Sequence, residues 1–271
     1  MKYRIDNQDV QMEVNGARSF GEDAVLFLED DNLIAHTTWK KQGFSLIPLL
    51  KPVEFAALNA GLQSYLTHII GKYASNLPPD FTIEKYHTLI AGNQALHLAI
   101  TNEAKQVDYQ NFPVPIQTLI ERIEQEVKIP LTVLNPNTQE YHFSYRIVRP
   151  GLSDFNPLHR DAWHPELKHC LNLYLPVVGS NELSSLGLIP GSHFWPEKTV
   201  ERTLVGAVMN GSQYTVPGLT ATSNALQLMR PNPINHQALL FTPYLIHGGA
   251  ANLNPDTTRV SVEIRFWRRA D

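Results

Sequence analysis

The chain has 271 residues, 43% hydrophobic and 18% charged, with a formal net charge of −4. That composition belongs to a folded globular protein, and the mild negative charge gives no basic footprint for nucleic acid. Cys170 is the only cysteine, which excludes an internal disulfide and a cysteine-based zinc site.

The start, "MKYRIDNQDV", lacks the apolar stretch of a signal peptide, and no apolar run approaches the roughly 18 residues of a membrane span. The cytoplasm is the expected compartment, with no membrane partner. Residues 1–35 carry short alternating pieces and predict a small peripheral strand or two. "TWKKQGFSLIPLL" (38–50) leads into a strand. In 51–74 the apolar residues Phe55, Leu58, Leu62, Leu66 and Ile69 or Ile70 recur at helical spacing, and Pro52 suits a first turn. Ile116, Leu119, Ile120, Ile123 and Val127 predict a second amphipathic helix within 113–129, stopped by Pro130.

After about residue 131 the helical periodicity ends. Short β-rich runs follow at 140–148, 169–178, 186–190, 213–217, 238–243 and 259–267, punctuated by proline and glycine. Helices followed by many short strands predict an α+β domain with a sandwich or barrel core. One domain over 1–271 is expected: helical support at about 38–130, a β core at about 131–268, and an insert at 194–237. The insert is long for a strand connection, and with 75–112 it is expected to shape a substrate pocket.

The chemistry starts at "NPLHRDAWHP". In an extended segment His159 and Asp161 point to one face, so an imidazole nitrogen and a carboxylate oxygen converge. That pair suits a divalent metal of intermediate softness but needs a third ligand. His247 is the best candidate. It ends an apolar run and precedes Gly248 and Gly249, which let the chain turn and leave room. Two histidines and one carboxylate, with open positions opposite, form the facial triad of non-haem Fe(II) oxygenases. Arg259, twelve residues on, shares a strand face with Ser261, and guanidinium plus hydroxyl make a carboxylate clamp. Arg259 could instead pair with Glu263 or Asp256, and Arg265 on the same face is a fallback clamp.

"LHRDAW", "SLGLIPGSHFW", "HGGAANLNPDTTRVSVEIRF" and "WKKQGFSLIPLLKPVEFAALNAGL" together resemble the phytanoyl-CoA dioxygenase family. The resemblance covers most of 38–267 as ordered landmarks, of which "PGSH" at 190–193 is the most telling. It implies a double-stranded β-helix (a jelly roll, cupin-like) with flanking N-terminal helices. It also implies Fe(II) on His159, Asp161 and His247, and 2-oxoglutarate with its C5 carboxylate on Arg259, next to Ser261. The expected activity is a dioxygenase that oxidises a small molecule, most simply by hydroxylation, using dioxygen and releasing succinate and carbon dioxide.

Other residues are expected around this site. Asn172, a polar residue in an apolar strand, is a candidate for hydrogen bonding the cosubstrate. Trp163 and Tyr174 are candidates for lining the pocket, and Arg146 for an acidic substrate or the C1 carboxylate. His193 reads as a turn histidine, "HPELKH" as a loop, and Cys170 as inert core. Two rivals differ in class. A cupin-type metal-dependent isomerase or epimerase needs no clamp at Arg259. A non-catalytic jelly-roll binding module leaves the three metal-ligating side chains without a purpose.

Overall fold

The computed structural model describes residues 1–29, 32–74, 76–105, 112–152, 154–209, 212–234 and 236–270. The N-terminal segment forms four short strands, β1 (Lys2–Ile5), β2 (Gln8–Gln11), β3 (Val14–Asn15) and β4 (Arg18–Phe20), and one helical turn, α1 (Leu26–Glu29). Strand β5 (Phe44–Pro48) leads into α2 (Pro52–Tyr73). Then come α3 (Tyr86–Ile90), α4 (Gln94–Glu103) and α5 (Ile116–Val127). The remainder is mainly β: β6 (Leu131–Thr132), β7 (Phe143–Val148), β8 (Leu171–Val178), β9 (Val200–Thr203) and β10 (Ala207–Met209). It closes with β11 (Ser212–Tyr214), β12 (Leu219–Thr222), β13 (Gln237–Phe241) and β14 (Arg259–Arg268). No described helix is long and apolar enough to cross a membrane.

The helix of 52–73 matches the expected one because its apolar stripe meets the sheet. Leu58, Leu62, Leu66, Ile69 and Ile70 are buried, and Pro52 opens it where no N–H is required. Each fully buried side chain of this kind contributes about 1.5–3 kcal/mol. The predicted helix within 113–129 is α5, and it ends where Lys128 turns left-handed, two residues before Pro130. Helices α3 and α4 fall inside 38–130, where helical support was expected without these two helices being placed individually. Residues 106–111 of that stretch lie outside the described residues.

The main sheet is antiparallel, ordered β5–β13–β8–β14–β7, with β6 paired to the end of β14. Period-two alternation gives it two unlike faces. Val260, Val262, Ile264 and Phe266 of β14 join Phe143, Tyr145, Ile147, Leu171, Leu173 and Leu175 in the large core under the helices. Tyr145 donates its hydroxyl to Leu62 O at 2.6 Å, and Asn59 Nδ2 donates to Val177 O at 2.8 Å, fixing α2 on that face. The opposite face carries Arg259, Ser261, Glu263 and Arg265, with Arg146 on β7 and Asn172 and Tyr174 on β8.

A second layer faces these polar residues. It is built from single antiparallel bridges, His159 with His247, Leu188 with His247 and Leu188 with Met229. The described residues of 194–237 contribute Met229 to this layer, and none of them lines the space between the layers. Their strands pair with the N-terminal segment instead, β4–β9–β12 and β3–β10–β11, so those backbone groups are already satisfied.

The "PGSH" turn ties the layers together. Ser192 Oγ accepts the Ile246 N–H at 2.8 Å, one residue before His247. Arg160, fully buried between His159 and Asp161, donates to Ser192 O at 2.6 Å and pairs with Glu197. His193 Nε2 donates to Lys40 O at 2.8 Å, its ring meets Phe27 edge-on at 4.6 Å, and its Nδ1 has no partner.

Burial pushes the His193 imidazole from 6.5 down to about 4, and burial, with His159 beside it, does the same to His247. In the unfolded chain both protonate below about 6.5. Between pH 6.5 and 4 the unfolded state therefore binds more protons, so stability is fully present above 6.5 and is lost as pH falls through this window. His193→Gln should flatten that loss by on the order of 2–3 kcal/mol at pH 4. Urea unfolding of the metal-free protein at several pH values checks this. An unchanged slope in the variant would mean that His193 is not held neutral.

Candidate metal centre

His159 and His247 face each other across a bridge with two backbone hydrogen bonds, each 3.0 Å. Each imidazole donates Nδ1–H to a backbone carbonyl, His159 to Pro157 O at 2.8 Å and His247 to Leu245 O at 3.0 Å. That assignment fixes the tautomer and leaves both Nε2 lone pairs turned to Asp161, whose Oδ1 lies 3.3 Å from His159 Nε2 and 3.8 Å from His247 Nε2. Gly248, at φ +98°, permits this approach, because a Cβ there would stand 2.5 Å from Pro157 O. All three side chains are buried, and their ligand atoms lie within 4.8 Å of one another.

Asp161 Oδ1 has no hydrogen-bond partner although it is buried. Its other oxygen is held twice, by Asn172 Nδ2 at 2.9 Å and Arg265 Nη2 at 3.1 Å. Burial alone would raise the Asp161 carboxyl, but the Arg265 guanidinium on its other oxygen outweighs it and holds it below the usual carboxylate range. An ionised carboxylate oxygen without a partner, facing two imidazole lone pairs, fits a divalent cation. The residues present therefore suit the metal that the sequence implied.

His159 and His247 line one side of a cavity whose sheet side carries Arg146, Arg259, Glu263 and Arg265, and Asp154 also lines it. Val148, Phe155, Leu186 and Ala250 supply apolar wall. No described residue of 75–112 or 194–237 lines it. Arg259 is 4% exposed, donates Nη1–H to Ser261 Oγ at 2.6 Å, and has no partner at Nε. The alternative ion pairs are taken elsewhere. Glu263 accepts from Arg146 at 2.8 Å, and Asp256 serves Lys85 and His87. Among the described residues Arg149, Arg160, Arg230 and Arg265 each have an acidic partner, and Arg259 has none. A buried guanidinium without a counter-charge is costly unless a ligand supplies one.

The other expected site residues fall in different places. Asn172 uses its amide on Asp161 rather than pointing it at free space. Tyr174 is buried, with its hydroxyl 2.8 Å from Ser180 Oγ and its ring 5.7 Å from the Arg259 guanidinium. Trp163 lies on the far side of the triad, donating Nε1–H to Glu197 at 2.9 Å beneath Arg202. Neither aromatic lines the cavity. Sequence reasoning did not single out Arg160 with Glu197, or Glu263 as a cavity group. The strict alternation from Arg259 to Arg265 was the available signal for Glu263.

Asn172→Ala should weaken divalent metal binding by about 10- to 100-fold, the usual consequence of removing a group that orients a ligand. Calorimetric titration of Fe(II) or Co(II) under anaerobic conditions measures it. Wild-type affinity in the variant would leave Asn172 a packing residue only.

No family model matches the sequence, and no curated protein matches it. The resemblance to phytanoyl-CoA dioxygenases thus has no family model behind it. Among solved structures the chain is similar to "non-heme monooxygenase; ThoJ apo", at TM-score 0.52 and 13% identity, covering 88% of this chain and 77% of that one. The ThoJ likeness is one of fold. EctD from S. alaskensis, solved with 2-oxoglutarate and 5-hydroxyectoine, aligns at 0.48 and 11% identity over 88% and 81% of the two chains. The epimerase SnoN, in complex with Fe3+, alpha ketoglutarate and nogalamycin RO, aligns at 0.45 and 14% over 85% and 80%. Neither of the latter two carries further weight.

Proposed function

We propose that the protein is an Fe(II)- and 2-oxoglutarate-dependent dioxygenase of the phytanoyl-CoA dioxygenase type, hydroxylating a small molecule with release of succinate and carbon dioxide. The observation that carries this reading is Arg259: a buried cation without an acidic partner among the described residues, lining the same cavity as His159 and His247 of the metal-ligand cluster. The fold reading beneath it is a double-stranded β-helix. The strand order β13–β8–β14–β7 faced by the bridged layer 159–247–188–229 supports it.

In this reading His159 Nε2, His247 Nε2 and Asp161 Oδ1 hold the metal on one face. Asn172 and Arg265 keep Asp161 ionised and oriented through its second oxygen. Arg259, with Ser261, binds the far carboxylate of the cosubstrate and so fixes its position along β14. Leu186, Phe155 and Val148 limit water in the cavity. Bound Fe(II) with 2-oxoglutarate and dioxygen supplies the oxidising power.

Anaerobic addition of Fe(II) and then 2-oxoglutarate tests the reading. A weak visible charge-transfer band on addition of the second component is the expected result. Metal binding without the band favours a cupin-type isomerase, and no metal binding favours a binding module.

A further inference from the structure

Arg146 and Glu263 sit on neighbouring strands of the cavity wall, where Arg146 pairs in register with Ser261 and Glu263 with Ser144. Arg146 Nε donates to Glu263 Oε2 at 2.8 Å. This is one bond where a guanidinium and a carboxylate can make two. Among the described residues, Glu263 Oε1 and the two terminal nitrogens of Arg146 have no partner. The side chains remain 28% and 18% exposed, and both line the cavity that holds His159, His247 and Arg259.

Such a pair is a poor choice for structure alone. A partly exposed ion pair adds little to stability, and its unused atoms stay accessible rather than buried without a partner. The β7–β14 pairing is made by the backbone and does not require these side chains. Burial pushes the Glu263 carboxyl up, but Arg146 and Arg265 outweigh it, so the group stays ionised. The cavity therefore presents a positive and a negative group side by side, each with unused hydrogen-bonding capacity.

We propose that the Arg146–Glu263 pair recognises a compact zwitterion, an α-amino acid, with its carboxylate on Arg146 and its ammonium on Glu263. This rests on the reading of the cavity as an oxygenase site, in which Arg259 and the triad are already committed to cosubstrate and metal. Two opposite charges held by one hydrogen bond match an ammonium and a carboxylate carried on one carbon. A simple acid at this place brings its carboxylate against Glu263, and a simple amine brings its ammonium against Arg146. Like charges so placed are rejected, which makes the pair selective for the zwitterion over either half. Val148, Phe155, Leu186 and Ala250 would surround an aliphatic side chain.

The test uses the full chain, first metal-free and then loaded with Fe(II) and 2-oxoglutarate without oxygen. Each proteinogenic α-amino acid is titrated singly by calorimetry, and any that binds is compared with its des-amino acid, its primary amide and its decarboxylated amine. At least one amino acid should bind, and each stripped analogue should bind about 30-fold or more weakly, the lower end of what a buried charged contact is worth. Glu263→Gln should bind the amino acid and its des-amino form alike, with melting temperature and Co(II) affinity as controls for the fold. Should that variant fail to fold, Arg146→Lys keeps the charge and loses the fork. It should weaken the amino acid and the decarboxylated amine by unequal factors, the amino acid more. The proposal is overturned if no amino acid binds, if a stripped analogue binds as well as the zwitterion, or if Glu263→Gln discriminates like wild type. Loss of the charge-transfer band alone would overturn the oxygenase reading and leave the metal-free titration to judge this one.

Discussion

His247→Ala and His159→Ala should each weaken Fe(II) or Co(II) binding by more than about 100-fold and abolish 2-oxoglutarate turnover. Removing a group that only orients a ligand costs about 10- to 100-fold, and removing the ligand itself must cost more. Two donors remain in each variant, and the described residues offer no other cluster of three histidine, cysteine or carboxylate groups to replace the site. The fold should survive, because the two residues are joined through backbone hydrogen bonds that alanine keeps. Loss of a buried side chain costs on the order of 1–3 kcal/mol. Calorimetric metal titration together with melting of the metal-free variants separates the two effects. Wild-type metal affinity in either variant would mean that the triad is wrongly assigned.

The parts of the fold legible in the sequence are those where one periodicity runs long enough to show. Five buried positions on α2 and five on α5 repeat at helical spacing, and β14 alternates from Arg259 to Phe266. On β14 the polar positions face a cavity rather than solvent, so alternation located the site face but said nothing of what stands opposite. The bridged layer was not legible. His159, Leu188, Met229 and His247 pair one residue at a time, too briefly for any period. Helices α3 and α4 were not placed individually for a related reason: at five and ten residues they are too short for a period to show.

Residue type and spacing pointed to His159, Asp161, His247 and Arg259; the structure clusters the first three, and His159, His247 and Arg259 line one cavity. Partners across strands were harder, because they depend on register. That Asn172 lies opposite Arg265, and that both reach Asp161, follows from the β8–β14 pairing and not from either local sequence. Trp163 was a candidate for lining the pocket. It sits in a short helical turn, Asp161–Trp163, that carries its side chain away toward Glu197.

Arg259→Ala should raise the 2-oxoglutarate dissociation constant by roughly 30- to several-thousand-fold at saturating metal, while metal affinity changes little. Truncating one partner of a buried, hydrogen-bonded charge pair costs about 2–5 kcal/mol, which converts to that range. Arg259→Lys should recover only part of it, since an ammonium lacks the planar fork. Ser261→Ala should cost about 1 kcal/mol, the worth of one hydroxyl contact. The unpaired cation also sets an opposite expectation for stability. Without ligand, Arg259 is 4% exposed, with no acidic partner and an unsatisfied Nε. Replacing it with an apolar residue of similar length should therefore leave the ligand-free protein as stable as wild type or more so. Arg259→Met thus ought to melt at an equal or higher temperature without ligand, yet gain almost nothing from added 2-oxoglutarate. Arg265→Met should behave differently, because it removes the main counter-charge of Asp161 and acts on the metal. Melting curves with and without metal and 2-oxoglutarate distinguish the two arginines. If Arg265→Met loses 2-oxoglutarate at unchanged metal affinity and Arg259→Met does not, the clamp is the wrong arginine on the right strand face. If neither variant loses it, the buried charge at Arg259 serves some other anion.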